Sequence, residues 1–334
     1  MAVIGWKAGA EQFAPQELLE CALVAEEVGF ESIDVSDHFH PWSEEGQAPF
    51  AWTWLGAVAA RTQKISMGPG VTCPILRYHP AIIAQATATL SHFAPGRVYL
   101  GLGAGEALNE YPVTHHWPTY TERRERLKEA IEIIRALWAG EKLSYAGKYY
   151  QTKEAKLYTP PKSAIPIYIS ALVPESARFA GEYGDGLIIV GGKPEDLYKQ
   201  VLKNFSEGGR AAKKDPDKMA KLIELNMLYT NDEETSIQHL LTYWAGTFVP
   251  ALFNQKIYSP AMSAQNGEVV GPDTVRKTCC VSGDPKVQAQ YIQKHIDLGF
   301  DHIFVHSGDK DQKDYLRRFG KDVLPRVHAM VAAH

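Results

Sequence analysis

The chain has 334 residues, 45% hydrophobic and 22% charged, which is typical of a globular protein with a large core. Its formal net charge of −4 gives no reason to expect binding to nucleic acid or to an anionic membrane surface. It has no run of about 18 apolar residues and no signal-peptide pattern, so we expect a soluble, cytoplasmic protein. The four scattered cysteines form no Cys-x-x-Cys pair and are expected to be reduced.

Short apolar segments alternate with amphipathic segments along most of the chain. The predicted strands are 3–8, 32–36, 65–72, 98–103, 167–170, 187–190, 221–229 and 302–305. The predicted helices are 15–28, 51–61, 80–93, 121–138, 175–183, 195–213, 233–244, 285–298 and 311–330. Strands that alternate with helices in this way predict an α/β fold, a (β/α)₈ TIM barrel, as a single domain over residues 1–334.

Two segments interrupt the alternation and are predicted to be insertions. Residues 140–165 are typical of a surface hairpin, and residues 247–276 contain loop residues and prolines without a clear period. An open, doubly wound sheet is the alternative architecture. It would need a glycine-rich phosphate loop after the first strand, and the segment around Glu11 does not have that composition.

Polar and aromatic side chains follow several predicted strands, at the end where barrel enzymes carry their active sites. They are Glu11, then Asp37 with His38, His40 and Trp42, then Val71, Thr72 and Cys73, then Glu106 and Asn109, and later Ser170, Lys193 and His306. A histidine near carboxylates suits general acid–base chemistry. Each residue also has a structural interpretation: a hydrogen-bonded core histidine, a helix-capping Glu106 or a solvated Lys193.

The His38-x-His40 pair raises the question of a metal site. Two histidines at this spacing can face one ion, but such sites need further ligands on later strands. The fifth, sixth and seventh predicted strand ends offer no such set, so we predict no metal. The glycines at 101–105 resemble a dinucleotide loop only loosely, and they are better suited to the close approach of a planar cofactor.

Three motifs carry a resemblance to a known family. They are DHFHPW at 37–42, CPILRYHP at 73–80 and GAGEALNE at 103–110. Together they resemble the luciferase-like superfamily, and more closely its coenzyme F420-dependent dehydrogenases of sugar phosphates and secondary alcohols. The resemblance extends over nearly the whole chain and implies a barrel that binds the deazaflavin F420 at its mouth. It also implies a homodimer.

The resemblance assigns roles to particular residues. It implies His38 as the base for a substrate hydroxyl, Trp42 as a stabilising ring, Glu106 as the acid for the deazaflavin and Glu11 as an assisting acid. Positions that match cofactor contacts are Asp37, His38, Gly70, Val71, Cys73, Asn109, Ser170, Ala171 and Val190. The family has a non-prolyl cis peptide at the position of Gly70–Val71.

The substrate is implied less directly. Lys193 and Lys256 match two phosphate-binding lysines of the sugar-phosphate enzymes, whereas the matching arginine position falls near Thr278, with Arg276 and Lys277 close by. Leu172 and Val173 stand where those enzymes carry glycines. We predict hydride transfer from a sugar 6-phosphate to F420. The alternatives are an F420-dependent secondary alcohol dehydrogenase and an FMN-dependent monooxygenase of the same superfamily.

Overall fold

The computed structural model describes residues 2–250 and 255–332. The strands are β1 (Val3–Ala8), β2 (Ser32–Val35), β3 (Ser66–Pro69), β4 (Leu100–Leu102), β5 (Ile167–Ser170), β6 (Gly186–Val190), β7 (Ala220–Leu228), β8 (Cys280–Val281) and β9 (His302–His306). The helices are α1 (Pro15–Glu27), α2 (Ala51–Arg61), α3 (Pro80–Phe93), α4 (Ala107–Thr114), α5 (Tyr120–Trp138), α6 (Pro174–Tyr183), α7 (Glu195–Ala211), α8 (Glu233–Trp244), α9 (Pro260–Gly267), α10 (Pro272–Thr278), α11 (Pro285–Asp297), α12 (Gln312–Asp322) and α13 (Leu324–Ala332).

The strands form one parallel sheet in the order β3-β2-β1-β9-β7-β6-β5-β4. The sheet closes because the residues around β3 and β4 pair in parallel at Met67–Val98 and Thr72–Leu102. The short β8 pairs with the end of β7. The predicted (β/α)₈ barrel is therefore confirmed, and its helices cover the outer face of the strands.

Side chains alternate between the inside and the outside of the barrel, as the pleat of a strand requires. On β7, Ile223 and Leu225 belong to the large apolar core shared with the helices. Leu222 instead belongs to a separate cluster with Tyr99, Ile188 and Phe304 that fills the barrel interior. Positions two residues further along these strands therefore point inward at the mouth of the barrel, where the chemistry of a barrel enzyme is found.

The two predicted insertions differ in outcome. The first is a hairpin, with antiparallel bridges Leu143–Ala155 and Ala146–Gln151, as predicted. The prediction of irregular loop for 247–276 was wrong where α9 and α10 form, and residues 251–254 lie outside the described part of the chain. Each of these helices begins with a proline at its first position, which is a helix-start signal rather than a loop signal.

Two further elements differ from the prediction. Helix α4, which begins in the GAGEALNE motif, was not predicted, and it ends where His115 adopts a left-handed backbone conformation. The predicted closing helix at 311–330 is two helices, α12 and α13, that meet at Val323 just before Pro325. Among the described helices, none is both long and apolar enough to span a bilayer.

Candidate active site

His38 lies just after β2 at the mouth of the barrel, between two carboxylates. Its Nδ1 is 2.5 Å from Oε1 of Glu11, and its Nε2 is 3.0 Å from Oε1 of Glu106. The indole ring of Trp42 packs edge-to-face against the imidazole, with ring centroids 4.7 Å apart. The structure thus brings together the four residues that the family resemblance marked as catalytic.

The charges of this group depend on one another. Burial alone would lower the pKa of His38, but the carboxylates of Glu11 and Glu106 outweigh it and raise that pKa to about 9. Burial also opposes charge on the two glutamates, yet the contact with His38 lowers the pKa of each. Near neutral pH the group is an imidazolium between two carboxylates. Moving the proton from Nε2 to Glu106 leaves a neutral imidazole, which is the form a general base needs.

Asn109 connects the two halves of this group. Its Oδ1 accepts hydrogen bonds from the backbone N–H of Phe39 at 2.6 Å and of His40 at 3.0 Å. Its Nδ2 donates to Oε1 of Glu106 at 3.0 Å. The amide therefore fixes the turn that follows His38 and the carboxylate that His38 contacts. The predicted contact of Asn109 with the cofactor stays a prediction.

Asp37 is buried behind the same turn and is fully occupied by protein partners. Its carboxylate accepts hydrogen bonds from the hydroxyl groups of Thr72 and of Tyr78, the latter at 3.1 Å. The guanidinium of Arg77 donates to the backbone oxygen of Asp37 at 2.5 Å and, through Nε, to Glu110 at 3.0 Å. These contacts hold the loop that carries His38, and the contributions of Arg77 and Glu110 were not predicted.

A cavity opens above this group and is lined by five of the predicted cofactor positions. They are His38, Gly70, Val71, Ser170 and Val190. The side chains of Asp37, Cys73, Asn109 and Ala171 are buried behind the lining. Burial raises the pKa of the Cys73 thiol, which makes it unreactive. The Gly70–Val71 peptide is cis, as the resemblance implied.

The four predicted phosphate ligands differ in their position relative to the cavity. Lys193 lines the cavity, and burial lowers its pKa. Lys256 is exposed and its ammonium lies 3.6 Å from the ring centroid of Tyr111. Arg276 pairs on the surface with three carboxylates, and Lys277 is also exposed there, outside the lining. Lys193 reaches the cavity, and Thr278, near the position of the family's arginine, forms part of the cavity wall.

Several lining residues were not assigned from sequence. Lys7, Glu224 and Asn226 project inward from β1 and β7, and Trp244 completes the wall. His306, which the sequence did place at a strand end, has its Nδ1 2.7 Å from Oδ1 of Asn226. Burial lowers the pKa of His306 to about 3, so its imidazole is neutral. The available signal was the alternation of β7, in which polar residues at 224 and 226 interrupt an apolar strand at its inward positions.

The lining fits a flat, polar heterocycle. Gly70 and Gly191, which have no side chain beyond Cα, form part of the wall, so a ring can approach the backbone closely there. Nε1 of Trp42 and Nε2 of His306 are buried without a hydrogen-bond partner in the described chain. Residues 2–250 and 255–332 contain no cluster of three or more His, Cys, Asp or Glu side chains that could hold a metal ion.

Comparisons with known proteins agree with this geometry. Residues 2–302 match the family described as luciferase-like monooxygenase. The F420-dependent glucose-6-phosphate dehydrogenase of Mycolicibacterium gilvum is 40% identical over 98% of this chain and 98% of its own length. The enzyme of the same name from Intrasporangium calvum is 38% identical over 99% of this chain and 100% of its own length.

A solved structure extends the comparison to three dimensions. The F420-dependent secondary alcohol dehydrogenase in complex with an F420-acetone adduct is 36% identical and superposes with a TM-score of 0.93. The match covers 98% of this chain and 99% of that chain. The family resemblance in the three motifs is confirmed, and the chain belongs to the luciferase-like family.

Proposed function

We propose that this protein is an F420-dependent dehydrogenase that oxidises the hydroxyl-bearing carbon of a sugar 6-phosphate. The observation that carries the proposal is the placement of His38 between Glu11 and Glu106, beside a cavity that suits a flat ring. The relatives named F420-dependent glucose-6-phosphate dehydrogenase support the substrate class, because they match at 38–40% identity along nearly the whole chain.

Each residue of the site has its own proposed role in the reaction. F420 bound in this cavity would supply a deazaflavin ring that accepts a hydride. His38, once its Nε2 proton has moved to Glu106, accepts the proton of the substrate hydroxyl through the same nitrogen. Glu11 holds Nδ1 and stabilises the imidazolium that forms. Trp42 packs against the imidazole and keeps it oriented.

Lys193 is the proposed partner of the substrate phosphate, because it is the predicted phosphate ligand that lines the cavity. A lysine supplies charge to a phosphate, but it does not replace the paired hydrogen bonds of an arginine. Lys256, Arg276 and Lys277 remain candidates for the same task.

A secondary alcohol is the second candidate substrate class. It is favoured by the surface ion pairs of Arg276 and by Thr278 in the cavity wall, since a neutral substrate needs no cation cluster. The secondary alcohol dehydrogenase that superposes with a TM-score of 0.93 supports this candidate as well.

Two substrates tested in parallel distinguish these candidates. We expect the protein to bleach the absorbance of F420 when glucose 6-phosphate is added, with isopropanol as the matched comparison. Bleaching by isopropanol alone would refute the sugar phosphate and retain the F420 dehydrogenase. A purified protein that carries tight FMN and bleaches F420 with neither substrate would refute both and favour the monooxygenase alternative.

The proposal also includes a homodimer in the cytoplasm. Both features rest on the family resemblance, and light scattering of the purified protein tests the first of them.

A further inference from the structure

Three ionisable side chains lie together directly beneath the cavity. Lys7 on β1, Asp34 on β2 and Glu224 on β7 all point into the barrel, one layer above the apolar cluster around Phe304. Nζ of Lys7 is 3.1 Å from Oε1 of Glu224 and 3.3 Å from Oδ1 of Asp34. Lys7 is 4% exposed and Asp34 is fully buried.

Lys7 also contacts the cavity wall itself. Its Nζ donates a hydrogen bond of 2.6 Å to the backbone oxygen of Gly70. Gly70 and Val71 line the cavity, so one buried ammonium is joined directly to the backbone that a bound ring would face. Asp34 packs tightly against the same place, since a Cβ at Gly70 would lie 2.3 Å from its Oδ2.

The ionisable side chains of this group influence one another. Burial and the neighbouring Glu224 raise the pKa of Asp34 well above its usual range despite the attraction of Lys7, which favours the neutral acid. The carboxyls keep Lys7 protonated although burial opposes its charge. One buried ammonium therefore lies between two carboxyl groups, at 3.1 Å from Glu224 and 3.3 Å from Asp34.

Stability alone does not account for such a group, because buried ion pairs stabilise a fold no better on average than packed apolar side chains. We infer that Lys7 is a positioning residue, which holds the Gly70–Val71 backbone in the place that the F420 ring requires, and that Glu224 serves to keep Lys7 charged there. This inference rests on the proposed use of F420. It concerns residues outside the group of Glu11, His38 and Glu106.

A pair of variants separates this role from a purely structural one. Lys7→Met in a Glu224→Gln background removes the ammonium without leaving a buried carboxylate unpaired. We expect this double variant to melt near the wild-type temperature and to bind F420 about tenfold more weakly or worse, because the Gly70 oxygen loses a charged donor. The reference protein is Glu224→Gln alone, which keeps Nζ of Lys7 beside the Gly70 oxygen and Asp34. The double variant is expected to bind F420 about tenfold more weakly than this reference.

The measurements are F420 affinity by fluorescence titration and the melting temperature of each protein without ligand. A double variant that melts normally and binds F420 as tightly as the wild type would overturn the inference alone. A wild type that fails to bind F420 would overturn the proposed function and the inference with it. If the methionine variant does not fold, Lys7→Gln in the same background is judged by the same two measurements.

Discussion

The raised pKa of His38 predicts a specific loss of stability at alkaline pH. The pKa is about 9 in the folded protein, against an ordinary value of 6.5 that we take for the unfolded chain. At pH values between 6.5 and about 9, His38 holds a proton in the folded protein that it has released in the unfolded chain. The resulting stabilisation is complete below the unfolded pKa and is lost as the pH rises through the folded pKa.

The size of the effect follows from the two pKa values of His38. Each pKa unit corresponds to about 1.4 kcal/mol, so the full contribution is about 3 kcal/mol. Between about pH 6 and pH 8.5, roughly 2 kcal/mol of it should disappear from the free energy of unfolding. The lowered pKa values of Glu11 and Glu106 affect only the acidic range, because their stabilisation is lost as the pH falls through the folded pKa.

His38→Gln removes this contribution while keeping a polar side chain of similar size. We expect urea unfolding to show a wild-type free energy that falls by roughly 2 kcal/mol more than that of the variant over this pH range. Four buried cysteines also lose stabilisation at alkaline pH, since burial raises their thiol pKa values. Their effect is common to both proteins and cancels in the difference.

His116→Gln is the matched control, because this histidine is exposed and is not among the residues that line the cavity. It should retain the pH dependence of the wild type. If wild type and His38→Gln unfold in parallel at every pH, the imidazole does not carry the charge that the two carboxylates impose. The proton shared by His38 and Glu106 in the proposed mechanism would then be refuted as well.

Two further substitutions test individual contacts in the site. Asn109→Ala should lower kcat about tenfold or more while changing F420 affinity less, because the turn after His38 and the carboxylate of Glu106 lose a shared hydrogen-bonding partner. Stopped-flow measurements give kcat, and fluorescence titration gives the F420 affinity. A weakened affinity with an unchanged kcat would instead support the predicted contact of Asn109 with the cofactor. Lys193→Ala should raise KM for glucose 6-phosphate about tenfold without changing F420 affinity or the KM for isopropanol, since it removes a charge opposite the phosphate. An unchanged KM would exclude Lys193 from the phosphate site.

The barrel and the central group were predictable because both depend on local pattern. Alternating apolar and amphipathic segments predicted the order of most strands and helices, and most predicted ends lie within a few residues of the observed ones. Parallel strands of a barrel bring their carboxyl ends to one rim, so Glu11, His38 and Glu106 could be expected to meet there although they are far apart in sequence. The prolines that start α9 and α10 are also visible in the sequence. They did not lead to a helix prediction, because no apolar residues at helical spacing follow them.

The remaining features depend on packing that the local pattern does not encode. Lys7, Asp34 and Glu224 lie on three strands, and their mutual contact follows from barrel closure rather than from any motif. The side chains of Lys256 and Arg276 are long and flexible, and each can reach several nearby surface groups. The sequence does not show which of these groups each one contacts. The sequence therefore indicated a cationic substrate site, whereas the structure shows Arg276 held by three carboxylates.

The charges around the cavity relate the class of substrate to the position of Lys256. The group of Glu11, His38 and Glu106 carries one net negative charge, and Lys193 is a cation on the cavity wall that offsets it. A neutral alcohol adds nothing to this balance, whereas a phosphate adds nearly two negative charges that a second cation must compensate. Moving Lys256 from the ring of Tyr111 would give up a contact worth about 0.5–2 kcal/mol. A charge-assisted hydrogen bond to phosphate is of comparable or greater strength, at about 1.5–3 kcal/mol. From these magnitudes we predict that a phosphorylated substrate draws Lys256 away from Tyr111 to the cavity, whereas a simple alcohol does not.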